Sequence, residues 1–381
     1  MPPESKHTLI VTTSFGLEAV VRRELEALGF SGIKGADGRL EFDAVLADIP
    51  RLNLWLHAAD CVLLKLGEFP AVDFGELFDR TKGLPWEAWI PADAKITVAG
   101  KSFRSKLASV RSAQSIVKKA VIERLRERLK INELPETGAE FTVQAAVHKD
   151  TVQLTLDTTG AGLHKRGYRL ESGELLLREN VAAALVLLSF WRKGRLLIDP
   201  MCGSGTVLIE AARLARNMAP GLKRKFAAEN WPALPAKLWE EARRSAAAAI
   251  APPEGVKLFG YDVDPGRVKE ARANARRAGV GEDIIFEVKD IRDLDIEADH
   301  GIVITNPPWG VKLMDPKELD ALYLAMDSLF REKPGWSVYV LTADSRFPQF
   351  FRRGKPDKVR KLYNGTIETN FYQYYGTLPP K

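Results

Sequence analysis

Four short apolar runs in the second half of this chain each end at a polar residue, and that repetition constrains the fold more than any other feature. Arg195-Leu-Leu-Ile runs into Asp199, Val256–Tyr261 into Asp262, Ile284–Lys289 into Asp290, and His300–Thr305 into Asn306. Helical stretches follow the first two, over Val207–Ala215 and Pro265–Gly279. Strands alternating with helices imply a parallel sheet of the α/β class. Such sheets bind ligands outside the carboxyl ends of their strands. Each polar residue alone is more often a cap or a turn residue. Four in order on one edge mark a site.

The first strand end is the richest. Asp199 is followed by Pro200-Met-Cys-Gly203-Ser-Gly205-Thr206 and then the helical run. A glycine turn between strand and helix lets a nucleotide-like ligand lie against backbone N–H groups. The dinucleotide fingerprint needs a third glycine at position 208, where Leu208 stands, and the phosphate loop ending in Gly-Lys-Ser/Thr is absent. Asp199 would repel a phosphate. It suits a ligand bearing a cation, such as the amino group of S-adenosylmethionine. Asp262, directly after the second strand, can accept from two ribose hydroxyls, whereas Asp264 reads equally well as an N-cap. Asp290 can accept from an adenine amine. Cys202 contributes backbone to the turn and is no nucleophile.

Asn306-Pro307-Pro308-Trp309 closes the fourth run. The Asn306 amide oxygen and the Pro307 carbonyl can both accept hydrogen bonds from one exocyclic NH2 group. Proline lacks an N–H and has a fixed φ, so the turn is stiff, and Pro307 holds Asn306 extended. Trp309 offers a flat face for a base, worth about 1–3 kcal/mol on single-strand precedents. An aromatic amine is a weak nucleophile because its lone pair spreads into the ring. Two acceptors on its hydrogens push density back onto nitrogen, so no strong base is required. Taken alone, the same four residues also read as a proline turn beside a core tryptophan.

Composition narrows the class. With 381 residues and 45% hydrophobic content, the chain supports two or three domains with real cores. The two cysteines, Cys61 and Cys202, are far apart, and the five histidines show no ligand spacing, so no metal is expected. Low cysteine use fits a reducing cytoplasm. Met1–His7 has no apolar signal core, and the longest apolar segment, Val181–Trp191, is too short to span a bilayer. Net charge is +6, but it is unevenly placed. Residues 101–130 hold ten Lys/Arg against Glu123 and Glu127, which leaves the rest of the chain slightly acidic. A concentrated basic face is the footprint of phosphate binding. For a lone helix, a solvated surface would be the simpler reading.

Periodicity places the remaining elements. Thr8–Thr13, Arg39–Phe42 and Cys61–Phe69 read as strands, and Gly16–Leu28 and Asp43–Leu56 as helices, giving the β-α-β-α-β order of a ferredoxin-like module. Phe74–Trp89 reads as an interrupted helix, Lys95–Lys101 as a strand and Val110–Lys130 as a helix. Phe141–Val147 and Thr151–Leu156 form a hairpin through His148-Lys-Asp150. Thr158–Gly162 marks a boundary, and Glu174–Trp191 reads as an apolar helix. The acid of the second strand comes well beyond the usual ~20 residues after the glycine turn. Residues 216–253 are therefore an insertion, expected to form a helical flap beside the ligand. Trp336–Thr342 adds a buried strand, and Thr366–Tyr375 a closing antiparallel one.

Asp-Pro-x-Cys-Gly-Ser-Gly-Thr, Gly-Tyr-Asp-Val-Asp-Pro and Asn-Pro-Pro-Trp resemble the motifs of class I S-adenosylmethionine-dependent amino-methyltransferases. More closely, the chain is similar to bacterial THUMP-domain RNA guanine-N2 methyltransferases, the type that modifies large-subunit ribosomal RNA. Lys101–Leu107, Leu163–Arg169, Leu177–Ala183, Ala219–Leu222 and Lys361–Gly365 carry this closer likeness across nearly the whole chain. Trp309 departs from it, since many relatives have tyrosine there. Stacking survives that change, but a hydroxyl contact would not. The resemblance implies a ferredoxin-like module over 1–70 and a THUMP RNA-binding domain over 71–160. A Rossmann-like methyltransferase domain with a seven-stranded mixed sheet would occupy 161–381. It implies S-adenosyl-L-methionine as cofactor, held by Asp199, Pro200, Cys202, Gly203, Ser204, Gly205, Thr206, Asp262, Asp290 and Asn306. Asn306, Pro307 and Trp309 would hold the target base. RNA, ribosomal first and transfer RNA second, would meet Lys101, Arg104, Lys106, Arg111, Lys118, Lys119, Arg166 and Arg169. No membrane partner is implied, and the chain is taken as a monomer.

Arg166, Tyr168 and Arg169 read equally as an RNA clamp or as residues ordering the junction between the halves. His164 is treated as structural. Arg178 and Asn180 read as ordinary helix-start residues. The same amine chemistry would serve DNA adenine-N6 or protein glutamine-N5 methylation. A non-catalytic RNA-binding assembly protein is the reading from another class.

Overall fold

A computed structural model describes residues 5–170, 176–308 and 315–377. The N-terminal strands are β1 (Lys6–Thr12), β2 (Lys34–Ala36), β3 (Arg39–Val45), β4 (Cys61–Pro70), β5 (Lys95–Phe103), β6 (Glu140–His148) and β7 (Thr151–Asp157). They form one sheet in the order β2-β3-β1-β4-β7-β6-β5. Strand β4 pairs with β1 on one side and with β7 on the other. The two N-terminal modules therefore share a continuous sheet. Helices α1 (Glu18–Ala27) and α2 (Asp48–Trp55) pack on it, and α3 (Phe74–Lys82) packs on α4 (Val110–Leu129), which itself lies on the sheet. The alternation read in β6 is real: Phe141, Val143, Ala145 and Val147 are buried, and the residues between them are not. At the β6–β7 turn Lys149 and Asp150 both have positive φ, 49° and 59°, as a tight hairpin requires.

The second sheet contains β8 (Leu197–Asp199), β9 (Leu258–Asp262), β10 (Ile284–Val288), β11 (Gly301–Thr305), β12 (Trp336–Thr342), β13 (Lys358–Asn364) and β14 (Ile367–Tyr374). Its order is β10-β9-β8-β11-β12-β14-β13. The first five are parallel, and β14 is antiparallel to both β12 and β13. This is the expected seven-stranded mixed sheet. With it come α5 (Glu179–Leu188), α6 (Thr206–Ala215), α7 (Ala236–Ala248, packed against α2), α8 (Pro265–Ala278), α9 (Pro316–Phe330) and the short α10 (Phe347–Phe350). Strand order reverses between β8 and β11, so their carboxyl ends flank the crevice where such sheets bind ligands.

Several boundaries moved. The run 74–89 splits into α3 and a 3-10 turn at Trp86–Ala88, because Gly83 caps the helix and Pro85 precedes the turn. Of the helix expected over 174–191, residues 174–175 lie outside the described residues, and among the rest it is regular over α5. Helix α9 and strand β13 were missed, although Leu319, Tyr323, Met326 and Phe330 sit at helical spacing and are buried. In β13, the basic residues hid a weak alternation.

The expectation for 216–253 needs correction. None of these residues lines the ligand cavity described below. The insertion instead ties the two halves together. Gly221 N donates to Leu54 O at 2.9 Å, Ala228 N to Thr158 O at 3.1 Å, and Arg224 Nη1 to Gly162 O at 2.7 Å. Trp231 stacks on Phe141 with ring centroids 5.0 Å apart. Its apolar residues found a partner in the N-terminal domain rather than in a ligand.

Candidate active site

The ends of β8, β9, β10 and β11 open into one cavity of about 650 Å³, the size of a small-molecule site. Asp199, Pro200, Cys202, Gly203, Ser204, Thr206, Asp262, Asp290 and Asn306 all line it. Gly205 and Pro307 do not. Gly205 acts behind the wall as the α6 N-cap, at φ 80°, where a Cβ would come within 2.8 Å of the Phe286 ring. Pro307 is buried under the turn, while Pro308 faces the cavity. Trp309 lies outside the described residues.

Asp199 is 2% exposed. Thr305 Oγ1 donates to its Oδ1 at 2.7 Å, and the Met201 N–H donates to the same oxygen at 3.2 Å. Burial, with a smaller push from Asp262, raises its carboxyl to about 7. No Lys or Arg among the described residues forms an ion pair with it. The residue read as a cation acceptor therefore sits buried, beside open space, without a cation of its own. The Gly203 N–H donates to Asp262 Oδ2 at 2.9 Å, and the Asp264 N–H to Asp262 Oδ1 at 3.0 Å. These bonds fix the carboxylate at the second strand end. Asp264 is the α8 N-cap, accepting from Gly266 N at 2.7 Å. Burial and the Asp199 charge hold the Cys202 thiol well above its usual value, so it stays protonated.

At the third strand end the sequence reading was incomplete. Asp290 lines the cavity, but it caps a 3-10 turn and pairs with the largely exposed Arg292, whose Nε donates to Oδ1 at 2.9 Å. That pair holds the Asp290 carboxyl below its usual value. The apolar wall of Leu177, Val263, Ile291 and Leu322 was also missed, since nothing local marks these residues as facing a ligand.

The basic candidates divide into two groups. Lys101, Arg104, Lys106, Arg111 and Lys119 are exposed, and Lys118 is half-buried beside Glu136 at 3.5 Å. Among them Phe103, missed in the sequence, is 60% exposed, with the Arg104 guanidinium 5.1 Å above its ring and His148 at 5.8 Å. Basic groups interleaved with an open aromatic face suit single-stranded nucleic acid.

Arg166 and Arg169 must be removed from the RNA-binding set. Arg166 is 4% exposed, donates from Nη1 to Leu163 O at 2.6 Å and from Nη2 to His57 O, and lies 3.6 Å from Glu210. Arg169 donates to Leu177 O at 3.0 Å and pairs with Glu179 at 3.2 Å. Tyr168 Oη donates to Glu210 Oε1 at 3.0 Å. Of the two readings open for this loop, ordering the junction is the one the geometry supports. No group of metal-ligating side chains occurs among the described residues, and no helix there is long and apolar enough to cross a membrane.

With this geometry established, the likenesses to known proteins are informative. Residues 166–373 match the family described as RMKL-like, methyltransferase domain. Residues 8–63 match the RlmL ferredoxin-like domain, and residues 71–157 match the THUMP domain. A Bacillus subtilis protein described as an RNA methyltransferase, YpsC, is 40% identical over 99% of this chain and 98% of its own. The large-subunit ribosomal RNA methyltransferase K/L of Syntrophotalea carbinolica is 33% identical over 95% of this chain. The chain spans only about half of that relative, 53% of its length. A Listeria monocytogenes crystal structure, described as an N6-adenine-specific DNA methylase, superposes with a TM-score of 0.92 at 42% identity, covering 98% of this chain and 97% of that one. A methyltransferase crystallised with S-adenosylhomocysteine, SMU.472, gives a TM-score of 0.92 at 38% identity, covering 99% and 100%. From residue 166 onward the chain belongs to the RMKL-like methyltransferase family, behind an RlmL-type ferredoxin-like domain and a THUMP domain.

Proposed function

We propose that this protein transfers a methyl group from S-adenosylmethionine to the exocyclic N2 amine of a guanosine in RNA, with large-subunit ribosomal RNA as the substrate. The observation that carries the reading is the pairing of Asp199 and Asn306 across the β8–β11 switch point, on one cavity. Asp199, buried without a cationic partner among the described residues, suits the cofactor's amino group. The residues present fit the rest of the cofactor too. Asp262 can accept from the ribose hydroxyls. At Gly203 an added Cβ would meet nothing within 4 Å, so the backbone there is open to a close-lying ligand. When bound, the cofactor supplies a methyl group on a sulfonium, ready for attack without further activation.

The acceptor side follows from Asn306. Its amide oxygen and the Pro307 carbonyl accept from the amine hydrogens and orient the nitrogen lone pair. Holding reactants near 3–3.5 Å apart and in line supplies much of the rate. No general base is needed, since the proton leaves after the new bond forms. The base must be unpaired or flipped to enter. Trp309, in a segment outside the described residues, is the stacking partner in this reading.

The same pocket chemistry serves adenine N6, and a relative described as a DNA methylase shares the whole fold. The THUMP match and the exposed Lys101–Lys119 face favour RNA. The test is methyl transfer from labelled cofactor into total RNA from cells lacking the gene, with nucleoside analysis. N2-methylguanosine in large-subunit RNA is expected. Label in transfer RNA would move the substrate, and N6-methyladenosine would overturn the choice of amine. Cofactor binding with no label in any free RNA would point to a protein or an assembled particle as the substrate.

A further inference from the structure

A second cavity, of about 490 Å³, lies on the seam between the two sheets. Ser14, Phe15 and Asp60 line it from the N-terminal side, and Arg178, Tyr363 and Gly365 from the methyltransferase side. Phe15 is 53% exposed and meets the Tyr363 ring edge-on, with centroids 6.1 Å apart. A half-exposed phenylalanine at the mouth of a cavity leaves one aromatic face open. Contact across the seam is close: a Cβ at Gly16 would meet Lys361 O at 2.5 Å, and one at Gly365 would meet Arg178 Nη2 at 3.2 Å. Gly365, at φ 66°, turns the β13–β14 hairpin over the Arg178 guanidinium.

This cavity adjoins the methyl-transfer cavity. Leu176 and Leu177 line the first, and Arg178 lines the second. Leu177 and Arg178 are consecutive, with Cα atoms about 3.8 Å apart, so the two cavities meet at this stretch of backbone. The hairpin fixes that backbone: Asn364 Nδ2 donates to Leu176 O at 3.2 Å, and the Arg178 N–H donates to Asn364 Oδ1 at 3.0 Å. Basic groups cluster on this side of the seam. His164 is pushed down to about 4, first by burial and then by Arg178, Lys165, Arg166 and Arg224. Asp60 is the acid in the lining, and it accepts from Asn180 Nδ2 at 2.8 Å. A nucleotide brings an anionic phosphate for Arg178, a ring face for Phe15 and amine donors for Asp60.

We propose that the Phe15–Arg178–Tyr363 cavity binds a nucleotide of the RNA next to the one being methylated, stacking its base on Phe15 and placing its phosphate on Arg178. The inference rests on the RNA substrate argued above. Because both domains build the site, it couples RNA docking on the N-terminal sheet to placement of the target base.

The test uses the full-length chain and compares Phe15→Ala, Phe15→Trp and Arg178→Ala. Two readings are taken: equilibrium binding of a labelled single-stranded RNA, and KM and kcat on total RNA from cells lacking the gene. Base–aromatic stacking predicts a roughly ten-fold rise in Kd and KM for Phe15→Ala, with kcat and S-adenosylhomocysteine affinity little changed. Phe15→Trp should restore binding. Arg178→Ala should weaken binding and reduce its salt slope by about one. Unchanged RNA binding in both alanine variants would overturn the site, and so would a loss that tryptophan fails to rescue. If the wild-type protein binds RNA through Phe15 but transfers no methyl to it, the RNA-methylation reading fails and this site stands.

Discussion

Asp199 and Glu210 are both buried acids of the methyltransferase domain, only eleven positions apart, yet they are built in opposite ways. Glu210 lies between Arg166 at 3.6 Å and Arg213 at 3.8 Å and accepts from Tyr168 Oη. Asp199 has a threonine hydroxyl and one backbone N–H. A charge removed from water needs a partner or shifts its titration. Glu210 has its partners within the chain and serves to hold the junction loop 163–169. Asp199 has no cationic partner among the described residues and faces a cavity, as expected of a group whose counter-ion arrives with a ligand. Burial alone does not mark a functional acid; burial without compensation beside open space does.

The largest expected effect tests the compensated side. Arg166→Ala leaves Glu210 with Arg213 as its one arginine partner and removes the bond to His57 O. Breaking a buried pair costs about 3–5 kcal/mol, and denaturant unfolding should show it. S-adenosylhomocysteine affinity of the protein that remains folded should stay within a few-fold. A stable Arg166→Ala protein with weak cofactor binding would erase the contrast.

Asp199→Ala should do the reverse. Losing a charge-assisted contact costs about 1.5–3 kcal/mol, so cofactor affinity should fall roughly 100-fold in calorimetry. Stability of the cofactor-free protein should hold or rise, since a buried uncompensated acid is gone.

The pH dependence sharpens the point. The Asp199 carboxyl is raised to about 7 in the folded protein, above its unfolded value. Its favourable contribution to the cofactor-free fold is therefore full in acid and is lost as pH rises through about 7. Cofactor binding needs the carboxylate, so affinity should climb up to ten-fold per pH unit below that value and then level off. Asp199→Asn should flatten the profile. Glu24 is also raised to about 7 by burial, so the difference between the wild type and Asp199→Asn is the quantity to read.

Thr305→Val carries the smallest effect. It removes one hydrogen bond to Asp199, worth about 1 kcal/mol, and should weaken S-adenosylhomocysteine roughly five-fold while moving the affinity profile to higher pH.

The contrast also explains what the sequence could tell. The four strand ends were legible because a strand and the polar residue that ends it are neighbours in the chain. Their meeting in one cavity followed from the α/β rule. The roles of Arg166 and Thr305 were not legible. Arg166 is set by His57 and Glu210, and Thr305 by Asp199, all far away in sequence. A basic loop reads the same whether it faces water or a buried glutamate. The 216–253 segment failed for the same reason, since its Trp231 faces Phe141 of the other domain. Phe103 and Phe15 look like core aromatics until the fold leaves them exposed.

The most direct test of the central claim is single-turnover methyl transfer by wild type and Asn306→Ala on RNA lacking the modification, with cofactor affinity measured on both. The account predicts N2-methylguanosine from the wild type. It also predicts a loss of roughly 100-fold or more in the Asn306→Ala rate, larger than any loss of S-adenosylhomocysteine affinity. An Asn306→Ala protein that methylates as fast as the wild type, or wild-type product on another amine, would contradict it.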